Sequence, residues 1–387
     1  MPPFQIGVNY WPVHKGMHWW KQFDSGEIAE DFARLAGIHL SPVRIFLLWE
    51  DFQPNPICVN LRALDRLADA ADIAADVGLG LWITFFTGHM SGANWFPDWM
   101  INRTEADRVK FPIASESASF RYLPKNPYRD PDIIKAQKIM VGEVAALLYN
   151  HPALWGWDLG NEPSNCYQPD NKEQARAWLR EMVEGIRKYD QNCPITLGLH
   201  QEDLEENRGM DPADVAESCD LITMHAYPAY SGWARSKTDS FFPLYLAELT
   251  RWLSAGKKVW ISEFGMSTGT DPFSIDEPSA ARYAMEVLER LRTNGIPGAL
   301  WWCYGDYASQ LWELPPFNDK IHERSFGIFR KDDTSKEIVS VLKNADRTGI
   351  ETGGDLDWID IESHEYWRNP GRQIRRLYSR FLEARES

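Results

Sequence analysis

Two glutamates stand where apolar runs give out: Glu162 in Leu159-Gly160-Asn161-Glu162-Pro163, and Glu263 in Trp260-Ile261-Ser262-Glu263-Phe264-Gly265. Each run has the character of a buried strand. An unpaired charge in an apolar site is costly, so neither carboxylate is there for packing. A single strand-end glutamate is as readily one half of a buried ion pair. Two of them, on strands that could face each other across the mouth of a barrel, suit the cleavage of an acetal. One carboxylic acid protonates the departing oxygen, and one carboxylate attacks carbon or activates water.

The elements that must position them follow a regular alternation. Strands are expected at Phe4–Tyr10, Val43–Trp49, Leu79–Phe86, Leu154–Gly160, Ile195–His200, Leu221–Tyr227, Val259–Gly265 and Ala299–Tyr304. Apolar residues at helical spacing predict helices over Ile28–Ala36, Leu61–Asp76, Asp132–Tyr149, Lys172–Lys188, Pro212–Glu217, Leu244–Ala255, Ser279–Thr293 and Lys336–Asn344. Eight strands, each followed by a helix, is the count of a closed (β/α)8 TIM barrel, whose chemistry sits at the C-terminal ends of its strands. A doubly wound sheet would open on a glycine-rich phosphate turn, and the first strand leads instead into Asn9-Tyr10-Trp11-Pro12. Two connections are long: Thr87–Arg129, with His89, Asn94, Trp95, Phe96 and Trp99, and Gly305–Thr334, with Asp306, Trp312 and Glu313. Loops of that length in a compact domain are usually functional. Residues 1–345 therefore read as a single catalytic barrel with long βα loops. Residues 346–387, acidic and then helical over Tyr366–Ala384, read as a short C-terminal extension packed on it.

Composition narrows the partners. The chain has 18 Trp, 14 Tyr and 18 Phe; most should fill the core, but indole faces also stack on the C–H faces of sugars. A formal charge of −15 argues against nucleic acid, whose phosphates call for a positive face. The five cysteines are scattered, with no C-x-x-C pair, and read as reduced thiols rather than a disulfide frame or zinc site. No run approaches the ~18 apolar residues of a membrane span. No basic segment followed by an apolar run opens the chain, so a cytoplasmic setting is expected. His14 and His18 have the i, i+4 spacing of a metal pair but lack an acidic residue in motif spacing, and neither metal nor cofactor is expected. The acidic run Asp203–Glu206, with Glu202 before it, reads as a solvated loop, and no role suggests itself for Cys166.

With these motifs in this order, the chain resembles clan A of the glycoside hydrolases and, within it, family five, the cellulases, mannanases and related exo-enzymes. The likeness runs from residue 4 to about residue 345. It implies that Glu162, in Asn-Glu-Pro, is the acid/base and that Glu263, in Ser-Glu-Phe-Gly, is the nucleophile. It further implies that Arg44, in Pro-Val-Arg-Ile-Phe, lies beside the nucleophile and that Asn161 bonds the sugar 2-hydroxyl. His225 and Tyr227, in Met-His-Ala-Tyr-Pro, match the family's strand-six pair, and His89 is the strand-three histidine. Trp302 is the strand-eight platform, with Trp301 the other candidate; adjacent strand residues face opposite sides, so one of the two is core.

The opening Gly7-Val8-Asn9-Tyr10-Trp11-Pro12 and Leu47-Leu48-Trp49-Glu50-Asp51-Phe52 resemble the intracellular β-mannosidase-like branches of that family. The resemblance implies a retaining β-glycosidase that removes β-1,4-linked mannose from the non-reducing end of short oligosaccharides. An endo-β-mannanase or a β-glucosidase would use the same residues. A metal-dependent hydrolase on this barrel would need His-x-His at the end of strand one, where Val8-Asn9-Tyr10 stands. A non-catalytic sugar-binding barrel would be expected to have lost one carboxylate, and both are present.

Overall fold

The computed structural model describes residues 3–105, 109–115, 119–351 and 353–386. Eight parallel strands close into a barrel: β1 (Gln5–Asn9), β2 (Val43–Leu48), β3 (Leu81–Thr87), β4 (Leu154–Asn161), β5 (Ile195–His200), β6 (Ile222–His225), β7 (Val259–Phe264) and β8 (Gly298–Trp301). Each pairs with its neighbours in sequence, and β1 closes the ring onto β8 through the register Val8 to Trp301. The strands lack hydrophobic alternation because both faces are covered, the inner by the barrel's own filling and the outer by helices. Inside, Trp82 of β3 and Trp260 of β7 meet edge-on at 5.5 Å. Gly298 of β8 makes room for them, since a Cβ there would lie 2.3 Å from the Trp260 ring.

The helices α1 (Ser25–Gly37), α2 (Leu61–Asp76), α3 (Pro131–Leu148), α4 (Lys172–Arg187), α5 (Pro212–Ser218), α6 (Phe241–Leu253), α7 (Glu277–Thr293) and α8 (Ile338–Asn344) ring the barrel. Their starts are chemically marked. Asn60 accepts from Arg62 N ahead of α2, Asp130 caps α3 with Pro131 in its first turn, and Asp211 forms a capping box with Asp214 on α5. A last helix, α9 (Pro370–Glu386), buries Ile374, Leu377, Tyr378 and Phe381, and Arg385 at its end pairs with Glu248 of α6 at 2.6 Å.

The connection after β3 is more structured than a loop. His89–Met90, Ala93–Trp95, Ile113–Ala114 and Ser119–Phe120 form one small sheet, and Ile101–Glu105 pairs with Tyr122–Pro124 in another. Residues 106–108 and 116–118 of that connection lie outside the described residues, as do 352 and 387 of the C-terminal extension.

Candidate active site

Register brings the polar strand ends to one level. His200, His225 and Glu263 stand side by side across β5, β6 and β7, Asn161 of β4 pairs with Gly198, and Asn9 of β1 pairs with Arg44. The Arg44 side chain is fully buried and ties these strands together. Its Nη1 donates to Glu263 Oε1 at 2.7 Å and Asn9 Oδ1 at 3.2 Å, and its Nη2 to Asp158 Oδ2 at 2.7 Å and Asn161 Oδ1 at 2.8 Å. Burial works against the cation, but Asp158 and Glu263 outweigh it and raise its pKa, so the charge is permanent. Gly198 must stay small beneath this group. A Cβ there would lie 2.8 Å from Gly160 O and 3.2 Å from Arg44 Nη2.

Glu162 leaves β4 in the left-handed region, with φ 47°, ahead of the turn Pro163–Asn165. A non-glycine residue held there stores of order 1–3 kcal/mol, and such positions cluster at functional sites. Its Oε1 meets His225 Nδ1 at 2.7 Å, and its Oε2 accepts from Asn165 Nδ2 at 2.8 Å. Glu263 Oε2 accepts from Tyr227 Oη at 2.8 Å and lies 3.4 Å from His225 Nδ1. The His225 ring therefore sits between the two carboxylates, and an oxygen of each lies within 4.8 Å of the other. That approach suits direct attack, for which carboxyls stand roughly 5–5.5 Å apart, better than roughly 6.5–9.5 Å with a water between.

Burial alone would lift both acids. Glu162 nevertheless lies well below its ordinary range, because His200 first, then His225 and His89, favour its anion. That pull lasts only while the rings carry charge, and burial already pushes His89 toward its neutral form. Glu263 lies above its ordinary range, since burial and the adjacent Glu162 anion outweigh His225 and Arg44. The charge on each carboxyl therefore bears on the titration of the other. Burial and Glu263 keep the Tyr227 phenol far above its ordinary pKa, so it remains a donor.

Glu162 and Glu263 line one cavity of about 310 Å³ with Asn161, His225, Tyr227, His89 and Trp302. Arg44 lies beneath it. His89 Nδ1 bonds Asn94 Oδ1 at 2.9 Å, which leaves Nε2 to the cavity, and its ring packs on Phe111. Trp302 follows the end of β8 and lines the cavity, whereas Trp301 is core, its Nε1 donating to Phe326 O at 3.0 Å. Of the lining residues that sequence reasoning missed, His200, Tyr230 and Glu323 bear most on the chemistry. His200 ends a strand, the same signal that marked the two glutamates. Tyr230 and Glu323 come from turns and carry no such mark.

Two expectations need correction. The run from Glu202 to Glu206 is no solvated loop: Asp203 is buried and accepts from His200 N at 3.0 Å, while Glu202 lines the cavity and pairs with Lys110 and Arg208. In the β8 connection, Asp306 and Trp312 are structural. Asp306 pairs with Lys336 at 2.6 Å, and Trp312 lies beneath Arg324; Lys320, His322 and Glu323 reach the cavity instead. Glu162, His225 and Glu263 also offer three ligand atoms within metal-binding distance of one another. Their lone pairs are already engaged by Arg44, Tyr227, Asn165 and each other, so a hydrogen-bonded site describes them better than a cation cage. His14 and His18 contribute to no such group among the described residues.

The model of the cellulase family, glycosyl hydrolase family 5, matches residues 6–308. A probable mannan endo-1,4-beta-mannosidase A-2 from Aspergillus terreus is 26% identical over 47% of this chain and 46% of its own. The chain spans about half the length of the curated relatives it matches. Among solved structures, the exo-beta-1,4-mannosidase Op5Man5 from Opitutaceae bacterium strain TAV5 superposes with a TM-score of 0.72 at 25% identity, over 88% of this chain and 58% of that one. A GH5_18 protein of Streptomyces cattleya, solved as an alanine variant with Manβ1-4GlcNAc, gives a TM-score of 0.75 at 24% identity, covering 89% and 79% of the two chains. The chain belongs to glycosyl hydrolase family 5. No helix among the described residues is long and apolar enough to cross a membrane.

Proposed function

We propose that this protein is a retaining exo-β-mannosidase that removes β-1,4-linked mannose from the non-reducing end of short oligosaccharides, with Glu263 as nucleophile and Glu162 as acid/base. The contact that carries the exo reading is between two loops. A Cβ on Gly92, in the β3 connection, would lie 2.9 Å from Cε of Lys320, in the β8 connection. These connections thus meet at the cavity, which Gly92 and Lys320 both line, and would block further sugars beyond the glycone there. The Glu162 side stays open: a groove of about 890 Å³ runs on past Lys110, Phe111 and Asn165 toward Arg129 and Asp170. One sugar is enclosed and the leaving group has room.

The permanent charge of Arg44 and the Tyr227 hydrogen bond favour the Glu263 anion. Among the described residues no lysine or arginine pairs with Glu162 as Arg44 does with Glu263, so the working proton is assigned to Glu162. Glu162 then protonates the leaving oxygen as Glu263 attacks. Esterification removes the negative charge of Glu263, which makes Glu162 more acidic and fits it to take a proton from water in the second step. Asn161, fixed by Arg44 at Oδ1 and by donating to His89 O at 2.8 Å, keeps one N–H for the 2-hydroxyl. The Opitutaceae likeness supports exo action. The Aspergillus relative, by its name an endo-enzyme, favours internal cleavage as the second reading.

End-reduced β-1,4-mannotetraose separates them. Mannose with reduced mannotriose as the first products is expected, whereas early mannobiose would favour endo action. Manβ1-4GlcNAc belongs in the same assay as a short substrate.

A further inference from the structure

Glu323 is a carboxylate that the chemistry above does not use. It lies in the turn Ile321–Ser325 of the β8 connection, is only 7% exposed, and lines the catalytic cavity. Tyr230 Oη donates to its Oε1 at 2.8 Å. Among the described residues no lysine or arginine pairs with it, nothing donates to Oε2, and His322 Nε2 stands 3.6 Å from Oε1. The carboxylates of Asp158, Glu263 and Glu162 each have more hydrogen-bond partners. Asp158 takes Arg44, Thr84 and two backbone N–H groups, Glu263 takes Arg44 and Tyr227, and Glu162 takes His225 and Asn165. A buried carboxyl with one hydrogen bond, and no lysine or arginine beside it, is left incompletely satisfied unless a ligand completes it.

Position says which part of a ligand. A pyranose with C1 over Glu263 has C2 on one side of C1 and the ring oxygen on the other. Asn161 and His89 occupy the C2 side, at the ends of β4 and β3. The ring oxygen and the exocyclic carbon then face the connections after β6 and β8, where Tyr227, Tyr230 and Glu323 stand. Burial and the Glu323 charge keep the Tyr230 phenol far above its ordinary pKa, so it stays protonated and holds the carboxylate in place.

We infer that Glu323 is a glycone-binding residue whose Oε2 accepts the 6-hydroxyl of the terminal sugar, with Tyr230 as its positioning residue. This rests on the glycosidase reading above and adds a selectivity to it: sugars lacking the 6-hydroxyl should be discriminated against. A charged acceptor for a buried hydroxyl separates substrates by about 10- to 100-fold.

The test is calorimetric titration of methyl β-D-mannoside and its 6-deoxy analogue into four otherwise native proteins: wild type, Glu323→Gln, Glu323→Ala and Tyr230→Phe. Circular dichroism checks that each is folded. The 6-deoxy sugar is expected to bind wild type about 10- to 100-fold more weakly than the parent. Glu323→Ala should weaken the parent by a similar factor and the 6-deoxy sugar by less than about 3-fold, with Glu323→Gln and Tyr230→Phe between. Equal losses for both sugars in Glu323→Ala, no loss for either, or no binding by wild type would overturn the assignment. Hydrolysis is scored separately. The expected binding pattern in a protein that cleaves no glycoside would leave this assignment standing and remove the glycosidase reading.

Discussion

Glu162 and Glu263 differ in what holds each carboxylate. Glu263 is held by the buried Arg44 and by the Tyr227 hydroxyl, whereas Glu162 faces His200, His225 and His89. Glu263→Ala should lower kcat on every active glycoside by roughly 10⁴-fold or more, as loss of a nucleophile does. Glu162→Ala should depend on the leaving group: a loss of about 10²–10⁴-fold on mannobiose, whose departing oxygen needs a proton, and a much smaller one in the first step on a p-nitrophenyl glycoside. Equal losses on the two substrates would deny Glu162 its role as acid. His200 is the strongest charge acting to keep Glu162 ionised, so His200→Gln should raise the Glu162 pKa. Because the acid must hold its proton, the alkaline limb of kcat/KM against pH should then move upward. A limb that stays put, or moves down, would show that His200 does not act on Glu162.

At the scale of elements, the site depends on β5 carrying nothing at position 198. Gly198→Ala would drive a methyl against Gly160 O and the Arg44 guanidinium, at a cost of roughly 1–3 kcal/mol. Denaturant unfolding should register that loss, and kcat should fall with it because Arg44 positions Glu263 and Asn161 together. Unchanged kcat in a destabilised variant would mean the site tolerates movement of Arg44. The two glutamates were legible in sequence because a charged residue closing an apolar run is conspicuous, whereas Arg44, Asn161 and His225 were identified through the family resemblance. His200 carried the same mark at the end of Ile195–His200 and went unread, since it lacked a neighbouring motif. Tyr230 and Glu323 were invisible for a physical reason. They reach the cavity from single turns inside long connections, and chain direction there is set by tertiary packing rather than by periodicity. The same limit misdirected attention to Asp306 and Trp312, whose polar and aromatic character serves pairing with Lys336 and packing under Arg324.

At the scale of the whole molecule, the barrel is sewn shut near β1 and β8 by a buried acid. Asp31 of α1 accepts from Tyr10, after β1, and from Tyr304, after β8. Burial pushes its pKa up to about 6. A folded-state pKa above the unfolded value means that the folded protein holds the extra proton between about pH 4 and 6. This contribution is therefore full at lower pH and lost as pH rises through 6. The difference amounts to roughly 3 kcal/mol at most. Asp31→Asn should flatten the fall in unfolding free energy between pH 4 and 7, and a fall as steep as that of wild type would place its cause elsewhere. Retaining hydrolysis passes through a covalent bond between the sugar and Glu263. Incubation with 2-deoxy-2-fluoro-β-D-mannosyl fluoride, followed by proteolysis and mass spectrometry, should find one sugar esterified to the peptide carrying Glu263. A label on Glu162, or an unlabelled enzyme whose first product has inverted anomeric configuration, would contradict the account.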